Sequence, residues 1–139
     1  MTGLPDALLA RAFRARNGDL AWTRDDALRA AEALAAGGLA VLGGEVWLVG
    51  DDGWWDARLP TDDGTPPAAH SWAPDPPDRQ DSESWAEFCA RTRDYTAAVL
   101  AAAEAEALTP PTLRPRLRYY LSCTSEDAYR PIRKRRPPC

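Results

Sequence analysis

Cysteine and histidine side chains are the first candidates for covalent chemistry or metal binding in this sequence. It contains one histidine, His70, and three cysteines, Cys89, Cys123 and Cys139, with no C-x-x-C spacing. A zinc site needs several such ligands at close spacing, and these cysteines stand far apart. A nucleophilic pair of Cys89 and His70 is compatible with the sequence, but Cys89 falls on the apolar face of a predicted helix. Because buried thiols are usually inert, we expect no metal, no cofactor and no catalysis here.

Carboxylates occur in close pairs, which could act in general acid–base catalysis. Such catalysis needs two carboxyl groups in a shaped pocket, where their pKa values are driven apart. The acids lie instead among turn and loop residues, as Asp51 with Asp52, Asp62 with Asp63, and Asp75 with Asp78. They are predicted to be solvated acids or a docking surface for a cationic partner. The glycines of GGLAVLGG fit neither the phosphate-binding loop nor the dinucleotide-binding motif, so we do not predict an enzyme.

Three helices and four strands are predicted to carry these residues. Capping residues and apolar periodicity place the helices at residues 5–16, 24–36 and 83–108. Runs of apolar and alternating residues predict strands at 39–42, 45–49, 54–59 and 113–123. Gly43-Gly44 separates the first two strands, and the turn GDDG joins the second to the third as a β-meander. The order predicts an α+β fold, with a small antiparallel sheet of about four strands and helices packed on one face.

The chain is predicted to form one globular domain, residues 1–127, followed by a basic, mobile tail, residues 128–139. A proline-rich loop at 60–80 interrupts the domain, since six prolines among its residues disfavour regular structure. The N-terminus lacks a secretion signal, and no apolar run approaches the roughly 20 residues that cross a bilayer. Together with the odd number of cysteines, these two features predict a cytoplasmic protein with free thiols and no membrane contact.

Charge is distributed unevenly along the chain. Residues 1–113 contain 9 basic and 19 acidic residues, whereas residues 114–139 contain 8 basic and 2 acidic ones. An acidic body attracts cationic partners and repels nucleic acid, so nucleic acid is not the expected main partner. The alternative left open is a nucleic-acid-associated accessory protein that uses its basic C-terminal tail. A scaffold subunit that self-associates through its tryptophans is a further alternative.

Six tryptophans are heavy usage for 139 residues. Trp85 falls on the apolar face of the long helix and is predicted to lie in the core. Neighbouring strand residues point to opposite faces, so Trp47 is predicted to face away from Val46 and Leu48. For the same reason Trp54 and Trp55 cannot both point inward. One of them is predicted either to pack under the proline-rich loop or to contact a partner, since tryptophan beside acids is typical of interface anchors.

The central part of the chain, about residues 25–100, resembles a family of bacterial immunity proteins from polymorphic toxin systems, immunity protein family number forty. The helix DDALRAAEAL precedes the motif AVLGGEVW, in which Gly43, Gly44, Glu45, Val46 and Trp47 match the glycine motif of that family. Trp72 of HSW takes the position of a later tryptophan, with Ser71 where asparagine is usual. The helix expected to follow contains Ser84, Tyr95 and Ala97.

The resemblance implies a binding function rather than catalysis. A protein of this kind binds the toxin domain encoded by a neighbouring gene and blocks its active site, and the acidic body suggests that this toxin is a nuclease. We expect Gly43, Gly44, Glu45 and Trp47 to form a structural motif. The expected contacts with the cognate toxin are Asp51, Asp52, Trp54, Trp55, Asp62, Asp63, Trp72, Asp75 and Asp78.

Overall fold

A computed structural model describes residues 4–50, 53–56 and 71–131 of the chain. The helices are α1 (Asp6–Arg11), α2 (Arg24–Ala36), α3 (Trp85–Ala102) and α4 (Glu104–Leu108), with a 3-10 turn at Arg114–Arg116. The strands are β1 (Phe13–Arg14), β2 (Leu20–Trp22), β3 (Ala40–Gly50), β4 (Gly53–Asp56), β5 (Ser71–Trp72) and β6 (Leu117–Thr124).

All strands belong to one antiparallel sheet, which confirms the predicted α+β fold. The strand order is β1-β2-β6-β3-β4, and β5 pairs with β3 beside β4. The last strand, β6, therefore lies between β2 and β3, so the predicted meander is limited to the β3–β4 hairpin. Gly50 pairs with Gly53 across that hairpin, as the GDDG turn predicted. Three short strands, β1, β2 and β5, were not predicted and extend the sheet beyond four strands; β5 lies in the proline-rich loop at 60–80, where no regular structure was expected.

One face of the sheet is packed against helices. Alternate residues of the strands point to this face, among them Trp22 and Leu121, and they meet apolar residues of α2 such as Leu34. Trp22 is fully buried, and its indole N–H donates a 2.9 Å hydrogen bond to the carbonyl of Leu8. This bond and the apolar contacts hold the N-terminal segment against the core.

The opposite face of the sheet carries a small aromatic cluster formed by Phe13, Trp47 and Tyr120, which we call the open-face cluster. The rings of Trp47 and Tyr120 stack with centroids 5.1 Å apart, and Phe13 meets Trp47 edge-on at 6.3 Å. Trp47 thus points away from Val46, which lies in the helix-side core, as the alternation predicted. Among the described residues, strands and turns alone build this cluster.

The N-terminal helix is shorter than the sequence predicted. It ends at Arg11, and the chain continues into β1 instead of remaining helical to residue 16. The Asn17-Gly18 pair closes the β1–β2 hairpin rather than a helix. Asn17 Oδ1 accepts a hydrogen bond from the N–H of Asp19, and Gly18 has φ +90°. This conformation suits a turn of either kind, so the local signal was ambiguous.

The predicted helix over 83–108 is divided in two. It begins after Ser84, whose hydroxyl accepts from the N–H of Glu87 while the Glu87 carboxylate accepts from the Ser84 N–H. It breaks at Ala103, which adopts a left-handed φ of +50°, and α4 follows. No glycine or proline marks this break, so composition could not predict it.

A threonine of α3 accepts a hydrogen bond from a backbone N–H at the edge of strand β3. The Val41 N–H points away from β6 and donates a 3.1 Å hydrogen bond to Thr92 Oγ1. The hydroxyl of Thr92 donates in turn to the carbonyl of Cys89 at 3.1 Å. Thr92 is fully buried, so water does not replace it. This contact fixes α3 beside β3 in a definite register.

We expect Thr92→Val to lower the free energy of unfolding by about 1–3 kcal/mol, because it leaves the buried Val41 N–H without a partner. Thr92→Ser keeps the hydroxyl but loses a methyl group, which costs about 1 kcal/mol. Urea denaturation of the two variants measures the difference. A valine variant as stable as the serine variant would contradict the role of this hydrogen bond.

A buried carboxylate joins α1 to α2. Asp26 accepts hydrogen bonds from Arg11 at 3.0 and 3.1 Å, and from Arg29 at 3.3 Å. Its side chain is only 12% exposed. Hydrogen bonding from Arg11 lowers the pKa of Asp26 below its usual 3.8, against the opposing effect of burial.

This pKa shift makes part of the stability depend on pH. Because the folded pKa of Asp26 is depressed, its contribution is complete above the unfolded pKa and disappears as pH falls through the folded one. We expect Asp26→Asn to cost about 1–3 kcal/mol at neutral pH and progressively less below about pH 4. Urea midpoints from pH 7 to about pH 3 measure this, and exposed Asp25→Asn is the control. A gap between wild type and Asp26→Asn that does not narrow in acid would refute the assignment.

Candidate protein-binding site

A β-bulge in strand β3 lies at the centre of the candidate site. The pairing of β3 with β6 shifts by one residue between Val41 and Gly43, so β3 continues through the double glycine as one strand. The sequence had predicted two strands separated there. Gly43 has φ +144°, and a Cβ atom at this position would overlap the carbonyl oxygen of Trp72. A glycine is therefore required where β5 approaches β3.

The second glycine makes room for the tryptophan ring. A Cβ atom on Gly44 would overlap both the indole ring of Trp72 and the carbonyl of Tyr120. The indole is half-buried, and its N–H donates to Thr96 Oγ1 of α3 at 3.4 Å. The glycine pair and Trp72, which lie far apart in sequence, thus form a single contact. Trp72 is held within the body of the protein by this contact.

A hollow of about 390 Å³ lies beside this contact. The residues that line it come from β3, β5 and β6: Leu42, Gly43, Gly44, Glu45, Ser71, Trp72, Tyr120 and Ser122. Glu45 is exposed, and its carboxylate accepts a 3.0 Å hydrogen bond from the indole N–H of Trp47. This bond orients the carboxylate while leaving acceptor capacity for another donor.

Tyr120 connects the hollow to the open-face cluster. Its ring stacks on Trp47, and burial, with a smaller effect from the charge of Asp19, raises the pKa of its hydroxyl. The phenol therefore stays neutral at physiological pH and can donate a hydrogen bond. With the Glu45 carboxylate and two serines nearby, the site combines an apolar aromatic surface with oriented polar groups. Such a surface suits recognition of a cationic or hydrogen-bonding side chain.

The structure places the predicted contact residues in different settings. Asp51, Asp52, Asp62 and Asp63 lie outside the described residues, and for Trp54 and Trp55 the strand β4 is described but not the side chains. Asp75 is exposed. Asp78 accepts a 3.2 Å hydrogen bond from the Tyr129 hydroxyl and so contributes to internal structure. Of the predicted acids, Asp75 is the one that is exposed in the described part of the chain, and its charge acts on Arg91.

Sequence reasoning missed Tyr120 as a site residue. The alternation of β6 placed Leu117, Tyr119 and Leu121 on one face, which by itself puts Tyr120 on the other. What the sequence could not supply was the neighbour of β6, since β6 pairs with Glu45 of a strand more than seventy residues away. The register of β3 on β6 is the missing information.

Cys89 and Cys123, the two cysteines in the described part of the chain, show no sign of activation. Cys89 is buried on α3, and burial raises the pKa of its thiol. Burial likewise raises the pKa of Cys123. His70 lies outside the described residues. Across the described ranges, no group of three or more His, Cys, Asp or Glu side chains is arranged to hold a metal ion. In the same part of the chain, no helix has the length and apolar character needed to cross a bilayer.

No family model matches this chain, and no curated protein or solved structure matches it significantly.

Proposed function

We propose that this chain is an immunity protein, which binds and neutralises a cognate bacterial toxin domain by covering its active site. The contact between the glycine pair and Trp72 is the observation that carries the proposal. The resemblance rests on two separate motifs, GGEVW and the tryptophan of HSW, and these two meet side by side in the fold. Motifs that form one structural unit are less easily explained as chance matches.

The distribution of ion pairs supports a cationic partner. Six arginines are already paired with carboxylates inside the protein: Arg11, Arg24, Arg29, Arg79, Arg91 and Arg93. Like several other exposed acids, Glu45 and Asp75 form no ion pair in the described part of the chain, although the charge of Asp75 acts on Arg91. Their charges are available to attract a basic surface such as the substrate cleft of a nuclease, which would speed association.

The proposed contact surface runs along strand β3. From Glu45 to Gly50 the strand extends about 17 Å, past the open-face cluster to the hairpin that precedes β4. Asp51 and Asp52 follow Gly50 directly in the sequence. The proposed interface therefore presents the partly exposed rings of Phe13 and Tyr120 at its centre, over the buried Trp47, and acidic residues at two ends. This arrangement excludes water from the centre while the acids orient the partner.

Co-expression with the toxin domain encoded beside the gene tests the proposal. We expect the chain to restore growth of cells that produce this domain, and to copurify with it in a fixed ratio. The association rate should fall several-fold from low to high salt, because exposed charges are screened. Failure to restore growth, together with no measurable binding of the purified pair, would overturn the proposal.

Variants that remove one or two charges test whether the surface along β3 is the interface with the toxin. Glu45→Gln and the double variant Asp51→Asn, Asp52→Asn should each slow association about 3–10-fold while leaving the urea midpoint unchanged. The matched control is Asp25→Asn, an exposed acid on α2 that lies away from the proposed surface. Trp72 is unsuitable for this test, because its removal would disturb the glycine contact. Equal slowing by Asp25→Asn would mean that net charge, and not this surface, governs binding.

The nucleic-acid alternative has a distinct outcome in the same purification. Recovery of nucleic acid in place of a protein, lost when residues 130–139 are removed, would favour the accessory role of the basic tail.

A further inference from the structure

The C-terminal end of the described chain is anchored beside Trp85. The ring of Tyr129 packs against Trp85 and Phe88 of α3, with centroids 5.6 and 5.4 Å away. Its hydroxyl accepts a 2.9 Å hydrogen bond from the Arg79 N–H and donates to Asp78 at 3.2 Å. Residues 128–131, predicted as part of a mobile tail, thus include an aromatic anchor in the body. The segment that follows starts from a defined place.

A groove of about 580 Å³ begins at the same tryptophan. We call it the α2–α3 groove; it is lined by Glu32, Ala35, Ala36, Gly38, Trp85, Ala86, Cys89, Ala90, Arg93 and Asp94. The two helices run antiparallel here, since the Trp85 indole N–H donates to the Gly38 carbonyl while Arg24 contacts the Leu100 carbonyl. Small alanines from both helices form the walls, so an extended chain could lie close to the backbone.

The electrostatics of the groove favour a cationic occupant. Glu32 and Asp94 both line it and are exposed, and Arg93, which pairs with Asp94 at 2.9 Å, is the one cation among the described lining residues. The last turn of α2 has no basic residue to offset the negative end of its helix dipole. The carbonyl groups at that end therefore add to the negative potential of the two carboxylates.

We propose that the C-terminal segment 132–139 occupies the α2–α3 groove, with its basic residues against Glu32 and Asp94. This segment, IRKRRPPC, carries four cations at positions 133–136, directly after the anchor. Eight residues reach up to about 26 Å, and the groove extends about 14 Å along α3 from Trp85 to Asp94. Attachment beside the groove raises the effective concentration of the segment to the millimolar range, so weak contacts suffice.

This inference gives the basic tail an internal partner. The tail would neutralise part of the acidic helix side and cover a groove that other basic proteins could otherwise enter. The groove is formed by α2 and α3, whereas the proposed toxin surface lies along β3. The inference therefore holds or fails independently of the proposed function.

A nitroxide label on Cys139 tests the position of the tail in the full-length chain. The label is placed in a Cys123→Ser background, and Cys89 remains because it is only 3% exposed. The nitroxide broadens the NMR signals of amide protons near it, so the signals that lose intensity identify the residues that the labelled tail approaches. We expect the signals of residues 32–38 and 86–94 to lose at least about half of their intensity, as a tethered segment with millimolar effective concentration implies. High salt should restore these signals.

Two pairs of variants decide the outcome. Glu32→Gln with Asp94→Asn should restore the broadened signals about as completely as high salt does, whereas Asp6→Asn with Asp25→Asn should leave the broadening unchanged. Both pairs alter exposed side chains, so folding should be retained. Broadening that is absent, that appears along β3 instead, or that persists in the first pair would overturn the proposal.

Discussion

Replacing Gly43 by alanine is expected to lower the free energy of unfolding by about 3–5 kcal/mol. Two costs combine in this substitution. The φ of +144° is one that residues with a Cβ rarely adopt, and the added methyl group would overlap the carbonyl oxygen of Trp72. Backbone atoms cannot rotate away as a flexible side chain can, so β5 would have to leave β3. Urea denaturation with circular dichroism measures the loss.

Other glycines of this chain separate the two costs. Gly18 has φ +90° with open space around it, so Gly18→Ala should cost only the conformational part, about 1–2 kcal/mol. Gly37 has ordinary φ and meets carbonyl oxygens at 3.5 Å, so Gly37→Ala should change stability by less than about 1 kcal/mol. If Gly43→Ala were no worse than Gly18→Ala, the close approach of Trp72 would not limit the fold.

Part of the fold is determined by local sequence. The helix α2 begins after Thr23 and ends before Gly38, which has φ +82°, as the local sequence predicted, although the Thr23 side chain makes no capping hydrogen bond. The β3–β4 hairpin follows from glycines at both ends of a four-residue turn, and β6 from its alternation. In each case the physical cause lies within one turn or one strand of the residue that it controls.

Elements that depend on distant partners were mispredicted. Residues 13–14 form a strand because Phe13 pairs with Ala21, whose strand in turn pairs with β6 near the other end of the chain. The local sequence does not decide between this strand and continued helix, because Asn17-Gly18 suits a hairpin turn as well as a helix end. The bulge at Gly43 has a similar origin, since β3 passes through it only because β6 supplies pairing on both sides.

In the candidate site, too, the features set by local sequence were predicted and those set by distant partners were not. The sequence marked Gly43, Gly44 and Trp72 as important and predicted the opposite faces of Val46 and Trp47. It could not predict that the Trp72 ring lies on Gly44, because that contact requires β5 to pair with β3. Trp72 stays a predicted partner contact, and the proposed surface adds its neighbours Glu45 and Tyr120, which line the same hollow.

Arg91 is the second residue whose replacement should have a large effect on stability. Its guanidinium donates hydrogen bonds to the Glu83 carboxylate at 2.7 and 3.1 Å, and to the carbonyls of Pro76 and Asp78 at 2.6 and 3.0 Å. It also lies over the ring of Phe88 at 5.3 Å. This one side chain therefore fixes the segment between β5 and α3 to the helix. Hydrogen bonding from Arg91 lowers the pKa of Glu83, which shows that the pair favours the charged state.

We expect Arg91→Ala to cost about 2–4 kcal/mol, because it leaves a carboxylate that is 12% exposed without its counter-charge and frees two carbonyls. Arg93→Ala is the matched control on the same helix, since its pair with exposed Asp94 should contribute less than about 0.5 kcal/mol.

In a double-mutant cycle, Glu83→Gln should cost much less in the Arg91→Ala background than in the wild type, since the charge it removes is already uncompensated there. Amide hydrogen exchange of residues 74–83 provides the structural measurement, and it should accelerate in Arg91→Ala but not in Arg93→Ala. Equal costs for the two arginines would mean that the segment is held by Tyr129 and Trp85 rather than by Arg91.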